Sequence, residues 1–163
     1  MSSSKPDNNA RGVLAAAARY VRTGVRSSAE VRRYLHRHGV SPQTAARVVS
    51  EYRASGQLDD RACARLWADH WARGGYAWMA IRAKLSAKGL PSETIAGVTD
   101  ELGAPAEEMA RARQMVVART PPHPTTRDRA RLARTLSGRG FDTDLIERLL
   151  NEFFRFQASD AEQ

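Results

Sequence analysis

Apolar residues along this chain recur in threes and fours, the spacing of one face of a helix, and a longer period is laid over them. Three times a Leu stands four residues before a Gly that an apolar residue follows: Leu35–Gly39–Val40, Leu85–Gly89–Leu90 and Leu136–Gly140–Phe141. Successive glycines are 50 and 51 residues apart (39 to 89, 89 to 140). Four residues before each Leu stand Val31, Ile81 and Leu132, which completes a buried stripe on one helix. Beyond each Gly a second stripe runs through Ala45, Ile95 and Ile146, then Val48, Val98 and Leu149, then Tyr52, Leu102 and Phe153. A fixed period of this size marks stacked supersecondary units, whose function lies on a shared surface rather than in one pocket.

Each Gly falls where the first helix of its pair ends, a place that favours left-handed backbone. Ser41 and Asp142 are then placed as N-caps of the next helix, with Pro42 at a first helical position; the second copy offers Pro91 and Ser92. A further helix precedes each pair. The first is the Ala-rich stretch 14–22, and the second carries the stripe Cys63, Leu66, Trp67, His70 and Trp71 up to Gly74 and Gly75. The third carries Met109, Ala112, Met115 and Val116 and stops before Pro121. No segment alternates at period two for long enough to propose a strand. The pattern predicts an all-α chain of three tandem three-helix repeats of the helix-turn-helix kind, stacked into an elongated solenoid. The repeats occupy 11–56, 57–104 and 105–157, with disordered tails at 1–10 and 158–163.

Charge changes the picture more than size does. The net charge is +8 with a pI near 10.5, and Lys occurs only at Lys5, Lys84 and Lys88, so Arg supplies nearly all of it. Such a surface attracts polyanions, and the planar guanidinium suits bidentate contact with carboxylate or phosphate. The 42% hydrophobic fraction is largely Ala, which implies a thin core with close helix approach. Trp67, Trp71 and Trp78 gather near the joint of the first two repeats and read as packing between them. The single Cys63 rules out an internal disulfide and fits a reducing compartment. The longest apolar run, 13–18, is too short to span a membrane, and 1–10 lacks a signal-peptide core, so the expectation is a cytoplasmic protein with no membrane contact.

The most specific short signal is Gly56-Gln57-Leu58-Asp59-Asp60. Asp59 reads as an N-cap, Asp60 as a second negative charge in the first turn, and Leu58 with Cys63 as a hydrophobic staple. Ser27 and Glu30 form a capping box. Catalytic chemistry finds no support: there is no phosphate loop, nucleophile elbow or His-Glu-x-x-His. His36 and His38 point to different helix faces, and Cys63 with His70 offers two ligands where zinc needs more. No enzyme, metal site or cofactor is expected.

The chain resembles the RecX family of bacterial regulatory proteins over roughly residues 14–156. That family's Gly-x-Leu-Asp-Asp-x-x-Phe-Ala signature is matched by Gly56, Leu58, Asp59, Asp60 and Ala64, with Cys63 where the Phe is usual. Trp67, Gly74, Gly75, Arg82, Leu85, Lys88, Gly89 and Leu90 follow the next family pattern. Arg26, Ser27, Glu30, Leu35 and Gly39 match the upstream element, and Arg139, Gly140 and Phe141 the last one. The resemblance implies a non-enzymatic protein of curved, three-repeat fold. It also implies a partner, the RecA filament on single-stranded DNA, whose ATP hydrolysis, growth and strand exchange are inhibited.

Charge and periodicity, rather than the resemblance, nominate the partner-binding residues. They lie on the first helix of each Gly turn: Arg32, Arg33 and Arg37; Arg82, Lys84 and Lys88; Arg131, Arg134 and Arg139. The chain is expected to be a monomer with at most weak, non-specific DNA contact. The alternative is a helix-turn-helix DNA-binding protein. Against it, the helices after the turns carry acids, with Glu51, Glu101 and Glu152 at one equivalent position, and such a face repels phosphate.

Overall fold

The computed structural model describes residues 5–160, and side chains over 11–104 and 106–155. The described residues form helices and no strands. In order they are α1 (Lys5–Arg22), α2 (Ser28–Arg37), α3 (Pro42–Ala54), α4 (Asp60–Arg73), α5 (Trp78–Ala87), α6 (Ser92–Leu102), α7 (Pro105–Arg119), α8 (Thr126–Gly138) and α9 (Thr143–Asp160). Helix α1 starts inside the stretch 1–10 read as a disordered tail, with Pro6 in a first turn where proline costs no helical bond, and α9 runs into the stretch 158–163. Residues 1–4 and 161–163 of those two stretches lie outside the described residues.

The repeated Leu-x-x-x-Gly-apolar pattern is a helix terminator. The N–H of Val40 donates to the carbonyl of Leu35 at 3.1 Å, and that of Gly39 to His36 at 3.0 Å. The same pair of bonds joins Leu90 to Leu85 and Gly89 to Ser86, and again Phe141 to Leu136 and Gly140 to Ser137. This is the Schellman arrangement, in which the third residue from the helix end receives the second residue beyond it. Each Gly takes positive φ, 79°, 80° and 84° in chain order. The Leu therefore has two roles: its side chain is fully buried in each copy, and its carbonyl closes the turn.

The helix starts are also local. Ser41 Oγ accepts the Thr44 N–H at 3.2 Å, and Asp142 Oδ1 accepts those of Asp144 and Leu145. In the second copy the carbonyl of Pro91 takes the first helical bond from Ile95, so Pro91 is the cap and Ser92 opens α6. Helix α8 differs from α2 and α5: it begins one turn earlier, on a capping box between Thr125 and Asp128.

The chain divides into two compact units. The first comprises the chain up to Trp67 with Leu85–Ala96, the second Ala68–Lys84 with the chain from Gly97 onward. In the first, α2 packs on α1 and α3 around Ala17, Val21, Val31, Leu35, Ala45, Val48, Val49 and Leu58. In the second, α7, α8 and α9 enclose Ala112, Met115, Val116, Leu132, Leu136, Phe141, Ile146, Leu149 and Leu150. The stripe expected on α4 matches its buried face at Cys63, only partly at Trp67 and Trp71, and not at Leu66 or His70. Leu66 is 54% exposed and His70 is exposed, while Cys63, Ala64 and Ala68 are buried. Small side chains carry that face because they permit close approach, and the tryptophans flank it half-covered.

Candidate partner-binding surface

Within each unit, one Gly turn packs against the second helix of the preceding repeat, α2 or α5. In the first unit, Ser27 Oγ donates to the carbonyl of Lys88 at 2.8 Å, and Arg33 Nη2 donates to the same oxygen at 3.0 Å. In the second, the Ala77 N–H donates to the carbonyl of Arg139 at 3.0 Å. Ser27 and Ala77 stand at one repeat position, and Lys88 and Arg139 at another, just before the Gly. Those carbonyls are orphans of a helix C-terminus and need a donor from elsewhere. The approach is close: a Cβ on Gly89 would stand 2.6 Å from Cβ of Ala29, and one on Gly140 would stand 2.7 Å from Cβ of Ala80.

The side chains around the first of these joints form a part-buried polar node. Lys88 Nζ reaches Glu30 Oε1 at 2.8 Å, the two side chains being 15% and 16% exposed, and it lies 4.2 Å from the ring centroid of Trp67. Glu30 also accepts the Ser27 N–H, closing the capping box of α2. Burial alone would raise the Glu30 carboxyl. The Lys88 hydrogen bond, the Ser27 N–H and the charges of Lys88 and Arg26 outweigh it and hold the group below the ordinary value of 4.5.

The Leu58-Asp59-Asp60 signature feeds the same node. Leu58 is buried, and Asp59 Oδ1 caps α4 by accepting the N–H groups of Arg61 and Ala62 at 2.9 Å. Asp60 does more than stabilise its own helix: its Oδ1 accepts the Ser28 N–H of α2 at 2.8 Å. No sequence spacing announces that contact, which spans 32 residues. Cys63 is buried beside these carboxylates; burial first, then the Glu30 charge, pushes its thiol up to about 11, so it stays protonated and inert.

The second joint uses a ring instead of an ion pair. Lys84 Nζ and the Arg139 guanidinium each lie 4.5 Å from the ring centroid of Tyr76, and Arg139 also donates to the carbonyl of Gly74. Lys84 further approaches the half-buried ring of Trp71. Trp78 is buried, whereas Trp67 and Trp71 serve as platforms for ammonium groups.

These contacts divide the nine candidate cations. Arg33, Lys84, Lys88 and Arg139 hold joints, and Arg131 pairs with Asp128 and donates to the Arg119 carbonyl. Arg32 and Arg37 on α2, Arg82 on α5 and Arg134 on α8 are exposed, with no hydrogen bond or ion pair to another described residue. The repeated acid also splits: Glu51 lies 4.0 Å from Arg47 one turn back, while Glu152 receives Arg113 of α7 at 3.1 Å. Among the described residues, no helix is long and apolar enough to cross a membrane.

Comparison with known proteins follows the same residues. The family model for the second three-helix domain of RecX matches residues 59–98, from Asp59 through the second Gly turn. The regulatory protein RecX of Thermobifida fusca is 32% identical over 131 residues, which cover 78% of this chain and 70% of that protein. The regulatory protein RecX of Pseudomonas fluorescens is 30% identical over 124 residues, 75% of this chain and 79% of that one. In fold, the crystal structure of RecX from Lactobacillus salivarius superposes with a TM-score of 0.74 over 90% of this chain and 97% of that one, at 15% identity. A second crystal structure of regulatory protein RecX gives 0.71 over 88% and 72%, also at 15% identity. The chain belongs to the RecX family of regulatory proteins.

Proposed function

We propose that this protein binds the RecA filament on single-stranded DNA and inhibits its ATP hydrolysis, growth and strand exchange. It acts as a cytoplasmic, non-enzymatic modulator of recombination and repair. Membership of the RecX family carries the reading. The exposed arginines support it: Arg32 and Arg82 occupy one repeat position on successive copies, and Arg37 and Arg134 lie on the same kind of helix. Modest contacts joined in one chain raise the effective concentration of each, which suits a partner that is itself periodic.

The test is a titration of RecA's DNA-dependent ATPase beside direct binding to bare single-stranded DNA at several salt concentrations. Inhibition well below the concentration that coats DNA is the expected result. Inhibition that tracks DNA coating, and that excess DNA relieves, would instead make the chain a helix-turn-helix DNA-binding protein.

A further inference from the structure

The second unit contains a cleft of about 560 Å³ at the end of α4, the start of α5 and the length of α7. Its apolar wall includes Trp78, Met115 and the half-buried Leu102; Trp78 and Met115 are 6% and 7% exposed. Over this wall sits Arg111, whose guanidinium carbon is 5.5 Å from the centroid of the Trp78 ring. Nε and Nη2 of Arg111 are shut off from water and have no hydrogen-bond partner among the described residues. These two nitrogens form one edge of the guanidinium, the edge that presents two parallel N–H donors to a carboxylate. Buried donors without acceptors are costly, so this edge is stabilised by any acceptor that draws it outward.

The rim decides what kind of acceptor fits. Arg73 is already engaged by Asp69, and the exposed Glu107 and Arg119 stand on the same lining with opposite charges. A nucleic-acid backbone would carry several charges past these two acids. A single carboxylate needs one guanidinium edge, and an apolar neighbour would cover the indole and thioether beneath it. We infer that this cleft receives an acidic side chain flanked by an apolar one, carried on a segment of a partner protein. The inference rests on the reading that the chain works by docking on a protein. Arg111 turns off the Trp78 ring to grip the carboxylate, and the wall takes the flanking side chain.

The experiment titrates the full-length, isotope-labelled chain with a short blocked peptide that alternates glutamate with leucine and phenylalanine. Its glutamine counterpart and oligo(dT) serve as separate arms. The peptide should shift the Arg111 Nε–H and Trp78 indole resonances, and the glutamine version should not. Arg111→Gln should weaken binding roughly tenfold or more, the loss of a charge-assisted bidentate contact. Ala118→Glu, on the exposed wall, should do the same without touching the core, and Glu107→Gln should strengthen binding. Equal peptide binding by wild type, Arg111→Gln and Ala118→Glu would overturn the inference. So would oligo(dT) moving the same resonances at lower concentration than the peptide, which would make the cleft a nucleic-acid site. Failure of the wild-type chain to inhibit the RecA ATPase would overturn the proposed function alone, because the peptide titration still judges the cleft.

Discussion

The two joints satisfy the same helix-end carbonyl from the same repeat position, by a side-chain hydroxyl in one and a backbone N–H in the other, and surround it with different chemistry. At both, the carbonyl just before a left-handed Gly receives a donor from the start of the preceding copy's second helix. Around Lys88 the surroundings are an ion pair, two carboxylate caps and an indole. Around Arg139 they are a phenol ring, a carbonyl and a bare alanine N–H. The repeat therefore conserves a hydrogen-bonding need of the helix end, and side chains are free to vary around it. The cores differ in parallel: small Ala and Val dominate the first, larger Leu, Ile, Met and Phe the second.

The strongest way to break this comparison is to add one methyl group. Gly39, Gly89 and Gly140 share the same φ, but a Cβ at Gly39 meets nothing within 4 Å. Gly39→Ala should therefore cost only the left-handed backbone penalty, about 1–2 kcal/mol. Gly89→Ala and Gly140→Ala add overpacking against Ala29 and Ala80 and should cost about 3 kcal/mol or more. Urea midpoints decide it, and equal losses at all three would mean that the joint packing contributes nothing.

The next effect separates ion pair from ring. Glu30→Gln should destabilise by about 2 kcal/mol, less than a fully buried pair because both partners keep some solvent. Arg139→Met should cost about 1 kcal/mol, from a partly exposed cation–π contact together with the hydrogen bond to the Gly74 carbonyl. A double-mutant cycle of Glu30→Gln with Lys88→Met isolates the first coupling, and additive losses would remove the ion pair from the account.

Acid sharpens the same contrast. The Glu30 carboxyl titrates lower in the folded chain than its ordinary 4.5. Its contribution is thus complete above about 4.5 and is lost as pH falls through the lowered folded value. The protection factor of the Ser27 amide, which Glu30 accepts, should fall over that window, and Glu30→Gln should flatten the dependence. The box of α8 follows the same sign, since hydrogen bonds from Thr125 hold Asp128 low, but it closes only the start of its own helix and the effect is smaller.

The smallest stability changes belong to the cations outside both joints. Replacing Arg32, Arg37, Arg82 and Arg134 together by Ala should shift stability by only about 0.5 kcal/mol per site or less. Inhibition of the RecA ATPase should nevertheless weaken. Loss of stability without loss of inhibition would reverse the division between joint and partner residues.

Much of the local structure was legible before any coordinates. Leu-x-x-x-Gly-apolar, Ser27 with Glu30, Ser41, Asp59 and Asp142 each describe bonds closed within a few residues, so their spacing reveals them. The α4 stripe misled at Leu66 and His70 because large residues outweigh Ala in a hydrophobic pattern, although Ala64 and Ala68 face inward beside the expected Cys63. The sorting of the nine cations was not legible, because spacing reports only their place relative to the buried stripe of their own helix, and puts most of them off it. Which of them meets another helix depends on a neighbour elsewhere in the chain.

By itself, then, the sequence determined the helices, their caps, the positive-φ turns and the family, since each rests on short-range sterics and backbone bonds or on a matched motif. Only the tertiary structure decided that Asp60 holds α2, that Lys88 and Arg139 secure joints, and that Arg111 keeps an unused edge above a cleft. Those outcomes depend on which distant groups share a low-dielectric space, where a donor without an acceptor is costly and a paired charge is retained.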